Sequence, residues 1–198
     1  NWRPQTLDAP EYAQYNLERV QEINARSGGN TPVPQIYMDA LNSAPGSGTD
    51  WQSLLMRSAV FQNHNLTYRG GNSKFKGVVS AGYLNQEGVL LNTDFSRLSL
   101  RSNLDATISD WLSVGSNMFV AFSDNNSIPE DGSRGIIMKA VTASPLQSPY
   151  DENGDLKPYI PADSPGYFAY ANPIFEANSL TNNRIERDIN ASINLDMQ

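Results

Sequence analysis

The sequence predicts a mainly β chain, an antiparallel meander preceded by a short helical and loop region. Three observations predict it. Side-chain character alternates with a period of two in five stretches after Asn63. Each stretch keeps its apolar residues on one side, as antiparallel strands do when a single face is apolar. Asparagine, serine and glycine are abundant, and they gather where strands must turn.

The first sixty residues carry helical signals. Asp8 and Glu11 have the spacing of a capping box, and Pro10 stands where a first turn tolerates it. Tyr12, Tyr15, Val20 and Ile23 form a rough helical stripe that Gly28-Gly29 ends. Thr49 to Gln52 reads as a second capping box, opening a short helix through Leu54, Leu55 and Met56. Pro32, Pro34, Pro45 and Gly46 mark the loops between.

From Asn63 to Arg69, His64, Leu66 and Tyr68 oppose Asn65 and Thr67. Gly70 to Ser73 is a turn, after which Phe75, Gly77, Val79, Ala81 and Tyr83 share a face. Leu98, Leu100, Leu104, Ala106 and Ile108 then oppose Arg97, Ser99, Arg101, Asn103 and Asp105. Ser109-Asp110 turns the chain into Leu112, Val114, Met118, Val120 and Phe122. The last stretch sets Ile189, Ala191, Ile193, Leu195 and Met197 against Asn190, Ser192, Asn194 and Asp196. The organisation expected is therefore 1–62 helix and loop, 63–122 a four-strand meander, 123–186 a long loop region, and 187–198 a further strand.

Composition excludes several classes. With 198 residues and 39% hydrophobic content, no run approaches the ~18 apolar residues of a membrane helix. Cysteine is absent, so there is no disulfide framework or thiolate metal site. A net charge of −7 without a basic cluster speaks against nucleic acid. Asn1 to Pro4 has no charged head leading into an apolar stretch, so a mature or internal start is expected.

The expected strands run longer than the ~5–6 residues usual in soluble sheets. Tight turns near 70–73 and 109–111 alternate with a longer connection at 85–93 and a very long one at 123–186. Short turns at one rim and long loops at the other are the outer-membrane barrel pattern. The alternation continues through Met197-Gln198 with no closing turn, which is expected of a truncated sheet with an unpaired edge.

Several ordered segments carry a family resemblance. Thr49-Asp50-Trp51-Gln52, Gln62 to Leu66, Gly70-Gly71-Asn72 and Gly82 to Val89 resemble the start of the barrel in SusC/RagA-like TonB-dependent transporters. Phe95 to Asp105, Trp111 to Asn117 and Ala143-Ser144-Pro145 follow in the family's order. The likeness covers about 49–155 well and the flanks loosely. It implies the early strands of a large outer-membrane β-barrel of about twenty-two strands. It further implies oligosaccharide uptake across a Gram-negative outer membrane, with a SusD-like surface lipoprotein as partner. The TonB complex would act through a plug lying outside this chain, and outer-membrane lipid would surround the wall. Under the resemblance 1–60, 85–93 and 123–186 face outside and the tight turns are periplasmic. A peptide importer of the same family and a soluble all-β carbohydrate-binding module are the alternatives.

Candidate functional residues were weighed against structural roles. His64 is the single histidine and lies on an apolar face with no serine–acid partner pattern. Asp151-Glu152-Asn153-Gly154-Asp155 resembles half of a calcium loop, but the closing glutamate is missing and an Asn-Gly turn is the simpler reading. Asn65-Leu66-Thr67 and Asn125-Asn126-Ser127 match a glycosylation acceptor, which has no meaning in a bacterial outer membrane. Tyr68, Phe75, Tyr83, Phe95, Trp111 and Phe122 form either a lipid-facing aromatic girdle or a sandwich core, and the resemblance favours the girdle. Tyr150, Tyr159, Tyr167 and Tyr170, with Phe168 beside them, are candidate ligand-stacking residues in the long loop. Arg97, Arg101, Asn103 and Asp105 would face a lumen. No carboxylate pair, metal cluster, nucleotide loop or triad stands out, so neither enzyme nor cofactor is expected.

Overall fold

The computed structural model describes residues 3–129, 135–163 and 168–197. Its helices are α1 (Ala9–Ser27), α2 (Gln35–Leu41), α3 (Trp51–Leu55), α4 (Ile136–Thr142) and α5 (Pro173–Ser179). Its strands are β1 (Phe61–Gly71), β2 (Phe75–Glu87), β3 (Asp94–Ser109), β4 (Leu112–Asn126), β5 (Tyr159–Ile160), β6 (Tyr170–Ala171) and β7 (Asn183–Met197). They divide into a sheet unit, Ser58–Ser127 with Thr181–Gln198, and a helical unit, Asn1–Arg57 with Ile128–Leu180.

The sheet unit is one antiparallel ladder in the order β1-β2-β3-β4-β7. Its register is continuous across all five strands: Leu66 faces Ala81, Ala81 faces Leu100, Leu100 faces Val120 and Val120 faces Ile189. At one rim the turns are tight. The Asn72 side-chain Oδ1 accepts from the backbone N–H of Lys74 and Phe75, an Asx turn that closes β1 onto β2. Asp110-Trp111 joins β3 to β4 after a register shift between Thr107 and Ser109. At the opposite rim the 88–93 connection is longer but ordered. Gly88 N–H donates to the Thr93 carbonyl at 2.8 Å, and a Cβ at Gly88 would overlap the Thr93 hydroxyl. Asn92 sits at φ 56, and its carbonyl accepts from the Asn126 side chain.

The strands exceed their expected bounds, at 11, 13, 16, 15 and 15 residues. The apolar alternation fades toward the longer-loop rim, where Asn85, Ser96 and Asp124 take its positions. Backbone pairing continues regardless, because each N–H and C=O there still finds a partner on the neighbouring strand.

The 123–186 stretch is accordingly not loop throughout. Its ends belong to β4 and β7, and its middle supplies α4, β5, β6 and α5. Likewise α2 occupies Gln35–Leu41, where prolines had marked only a loop. Short helices of this kind lack end signals, and α2 is set by burying Tyr37 and Ala40 rather than by a cap.

In the helical unit, Asp8 caps α1 through a complete capping box with Glu11, and Gly28 at φ 62 ends the helix. Ala9 and Ala13 of α1 pack on Tyr37 and Ala40 of α2, with Tyr12, Val33, Ile36, Leu41 and Leu146 around them. The cap of α3 is Asp50, not Thr49: Asp50 accepts from Ser53 N–H at 2.9 Å. Thr49 instead donates its hydroxyl to the Gln147 carbonyl, and the Gln52 amide reaches the Pro4 carbonyl. Long-range ties therefore outcompete the local box. Trp51 is buried with its indole N–H on the Ser144 carbonyl at 2.9 Å. Gly48, at φ 105, lets the backbone pass within van der Waals reach of Pro145 and Ala9, where a side chain would not fit.

The two segments of this unit, 3–57 and the described part of 128–180, are stitched by such bonds. Asn172 is fully buried, donates to the carbonyls of Pro149 and Lys157, and caps α5 by accepting from Ile174 N–H. Lys139 of α4 meets both carboxylate oxygens of Glu176 on α5 at 2.7 and 2.6 Å.

Candidate functional site

Strand periodicity gives the sheet unit two chemically opposite faces. One carries Leu66 and Tyr68 of β1, Phe75, Val79, Ala81 and Tyr83 of β2, and Leu98, Leu100 and Leu104 of β3. Val114, Met118, Val120 and Phe122 of β4 and Ile189, Ile193 and Leu195 of β7 continue it. These side chains are not a core. Leu66 is 75% exposed, Ile193 74% and Leu100 43%. From Leu112 to Phe122 the apolar stretch of β4 measures about 33 Å at ~3.3 Å per residue, or about 25 Å along a membrane normal at ~40° tilt. That is the height of an outer-membrane barrel's apolar band.

The opposite face carries Asn65, Thr67, Ser99, Arg101, Asn103, Asp105, Asn117, Asn190, Ser192 and Asn194. Arg101 lies over the Phe119 ring at 5.3 Å, so the one large aromatic of mid-β4 on this face is covered by a cation. Arg97, Arg101, Asn103 and Asp105 all lie here, as the alternation predicts. Tyr83 and Phe122 stand near one rim of the apolar face, and Phe75 stands near the other. Phe95 does not join them: its register with Gln86 and Asn125 puts it on the polar face. Proximity to a strand end had grouped it with the girdle, whereas parity along the strand decides the face. His64 lies on the apolar face opposite Tyr83.

In the helical unit, a pocket of about 240 Å³ opens beside α1. Tyr12, Asn16 and Arg19 of α1, Tyr37 of α2, Asp163 and Tyr170 line it, with Phe168 at its mouth. Tyr12 donates its hydroxyl to Asp163 at 3.2 Å, and Gln147 donates to the other Asp163 oxygen at 2.8 Å. The Tyr170 hydroxyl accepts from Ser144 N–H at 2.9 Å. Burial, then the neighbouring Asp163 charge, pushes the Tyr12 hydroxyl up to about 12. The Tyr170 hydroxyl rises to about 12 as well, again through burial foremost.

Of the candidate ligand-stacking residues, Tyr170 and Phe168 line this pocket. Tyr150 bridges Leu156 and Tyr159 pairs with Ala171; both side chains are exposed away from the pocket. Tyr167 lies outside the described residues. Asp151 to Asp155 is a tight turn: Asp151 Oδ1 accepts from the N–H of Asn153 and Asp155, and Gly154 takes φ 89. Among the described residues no group of three or more acidic or histidine side chains is placed to hold a metal. The sequence reading missed Tyr12, Asn16 and Arg19 as a set, although their spacing by four and three puts them on one side of a helix.

Comparison with known proteins completes the picture of this two-faced ladder. TonB-dependent receptor P26 of Formosa agariphila is 26% identical over 194 residues, covering 98% of this chain and 18% of the receptor. The chain resembles SusC/RagA-like TonB-dependent receptors. TonB-dependent receptor P3 of the same bacterium is 26% identical over 154 residues, 75% of this chain and 14% of the receptor. TonB-dependent receptor SusC of Bacteroides thetaiotaomicron is 32% identical over 71 residues, 35% of this chain and 7% of the receptor. A chain in the structure of the RagAB peptide importer in its closed-closed state shares the fold, with a TM-score of 0.62. That likeness covers 95% of this chain and 23% of the other at 18% identity. No family model matches. The chain thus spans under a fifth of the length of the receptors it matches. The five-strand meander shares the fold of part of that importer chain, the architecture that strand length and turn alternation predict.

Proposed function

We propose that this chain builds part of the wall and outer rim of a TonB-dependent importer in a Gram-negative outer membrane. The observation that carries the reading is the exposed apolar face, about as tall as a barrel's lipid-facing band and backed by a polar face. In that setting lipid covers Leu66, Leu100, Val120 and Ile189, while Arg97, Arg101, Asn103 and Asp105 face the lumen. The tight turns at 72–74 and 110–111 are periplasmic, and 1–60, 85–93 and 123–186 lie outside. The parent protein takes up oligosaccharides together with a SusD-like surface lipoprotein. The TonB complex supplies the energy through the plug, and no catalytic step is assigned to the chain. Peptide is the second reading for the cargo, because the RagAB neighbour is described as a peptide importer.

The full-length parent tests this in two ways. This chain contributes no cysteine, so in a parent whose other cysteines are replaced, cysteines placed singly at Leu100 and at Ser99 can carry a fluorophore in lipid nanodiscs. A nitroxide lipid should quench the label at 100 strongly and that at 99 weakly. Equal quenching would overturn the lipid-facing assignment. Purified from outer membranes in mild detergent, the parent should bring down a surface lipoprotein in stoichiometric amount. A water-soluble parent without such a partner would favour a soluble binding module.

A further inference from the structure

We infer that Arg187 marks a binding site for a phosphorylated lipid of the outer leaflet, seating a headgroup phosphate of lipid A against the sheet. The site rests on the reading of the apolar face as lipid-facing and deepens it by naming which lipid that face selects.

Strand parity places Arg187 among apolar side chains. It pairs with Phe122, and the row continues through Leu98 and Tyr83 to His64. On its own strand Ile185 and Ile189 flank it on the same face, 63% and 70% exposed. The row lies where the apolar stretch from Leu112 to Phe122 runs out, at the end nearer the longer connections. Arg187 is exposed and takes part in none of the ion pairs among the described residues. Arg184, three residues earlier and on the polar face, is by contrast paired with Glu186. A guanidinium on a lipid-facing strand is costly at the midplane and cheap near the interface. Its long side chain bends toward the rim and brings a planar fork of donors to the level of the phosphates.

Charge on this face is confined to one rim. Glu87, Asp94, Asp124 and Arg187 are its charged strand residues, and all lie at the longer-loop end. Toward the tight-turn end the same face carries Phe75, Leu112 and Met197. That asymmetry matches two leaflets of different headgroup chemistry.

Two features select lipid A over a two-chain phospholipid. The row from His64 to Arg187 spans four strand spacings, about 19 Å, a width that takes the several acyl chains under one lipid A headgroup. Asp124 stands one pair beyond Arg187 toward the rim, and Asp94 one pair beyond that. Carboxylates there repel a bare phosphate but share the divalent cations that accompany lipid A phosphates.

Native mass spectrometry of the delipidated full-length parent, in detergent with magnesium, tests the site. The lipids titrated are diphosphoryl lipid A, the same glycolipid without phosphate, and phosphatidylethanolamine. Arg187→Gln removes the charge and Arg187→Lys keeps it. Arg97→Gln, in the adjacent row on the polar face, is the control. Diphosphoryl lipid A should bind Arg187→Gln about tenfold more weakly than the natural protein. Its affinity should stay within about threefold in Arg187→Lys and about twofold in Arg97→Gln. The other two lipids should bind Arg187→Gln and the natural protein within about twofold of each other. Undiminished lipid A binding by Arg187→Gln would overturn the site and point to an acidic partner on the neighbouring strand of the parent. A lysine variant as weak as the glutamine variant would overturn it too, as would a tenfold loss for phosphatidylethanolamine. In each case the lipid-facing reading still stands on the quenching of labels at 100 and 99. Equal quenching there would remove the reading and the site together.

Discussion

Single residues in the helical unit hold together segments that are distant in sequence. Asp8 shows this at its N-cap, where Oδ1 accepts from Glu11 N–H at 2.9 Å and Oδ2 from Gly46 N–H at 2.7 Å. Asp8→Ala should therefore cost about 1–2 kcal/mol, the upper part of the range for a lost cap. Hydrogen exchange of the α1 amides in the parent should accelerate roughly 5- to 30-fold. The tyrosine hydroxyls set an alkaline limit. Tyr12 and Tyr170 ionise near 12 when folded and near 10 when unfolded. Stability is thus complete below pH 10 and is lost as pH rises from 10 to 12, because the unfolded chain releases its protons first. The tyrosinate absorbance that the Tyr12→Phe/Tyr170→Phe variant of the parent lacks should rise in step with unfolding of this unit, not ahead of it. At this scale the sequence was legible where a signal was local, as at Asp8, Glu11 and Gly28. It was misleading at Thr49 and Gln52, whose side chains serve Gln147 and Pro4 across the fold. It was silent on Tyr12, whose hydroxyl meets Asp163 from far along the chain.

Strands were more legible than helices, for a physical reason. A strand with one lipid-facing side must alternate along the whole apolar band, so β3 declares itself from Leu98 to Ala106. The helices α4 and α5 are each seven residues long, too short for a stripe, and burial of Ile136, Ala140, Ile174 and Ala177 defines them instead. Strand ends were missed for the same reason: Asp124 to Asn126 pair with β7 although nothing apolar marks them. The alternation also yields a paired prediction. Leu100→Arg on the lipid-facing side should destabilise the parent by about 2–4 kcal/mol if it lies near the bilayer midplane. Ser99→Arg, one residue away on the polar side, should cost far less. Folding titrations into lipid vesicles measure both, and equal penalties would refute the two-faced ladder.

The molecule as a whole is unfinished in a physical sense. Among the described residues, β1 and β7 each pair on one side only, and the apolar side chains of the sheet's one face are exposed. Unpaired edges and exposed apolar surface both drive association. The isolated chain of 198 residues should therefore form oligomers or larger assemblies in plain buffer, measured by light scattering. A monodisperse monomer would mean that the sheet has rearranged. The order in which the helical unit is assembled from the chain has a temporal counterpart. Its first segment, with Asp8, Tyr12 and Trp51, leaves the ribosome well before Ser144, Asp163 and Asn172, and β1 to β4 are synthesised between them. Closing so long a loop is slow, since non-local contacts bear their entropy cost before they give any stability. For that interval α1 keeps its packing on α2 but lacks Leu146 and Asp163, and Trp51 lacks the Ser144 carbonyl. A chaperone that meets the nascent chain would find Trp51 of α3 still waiting for the segment that covers it.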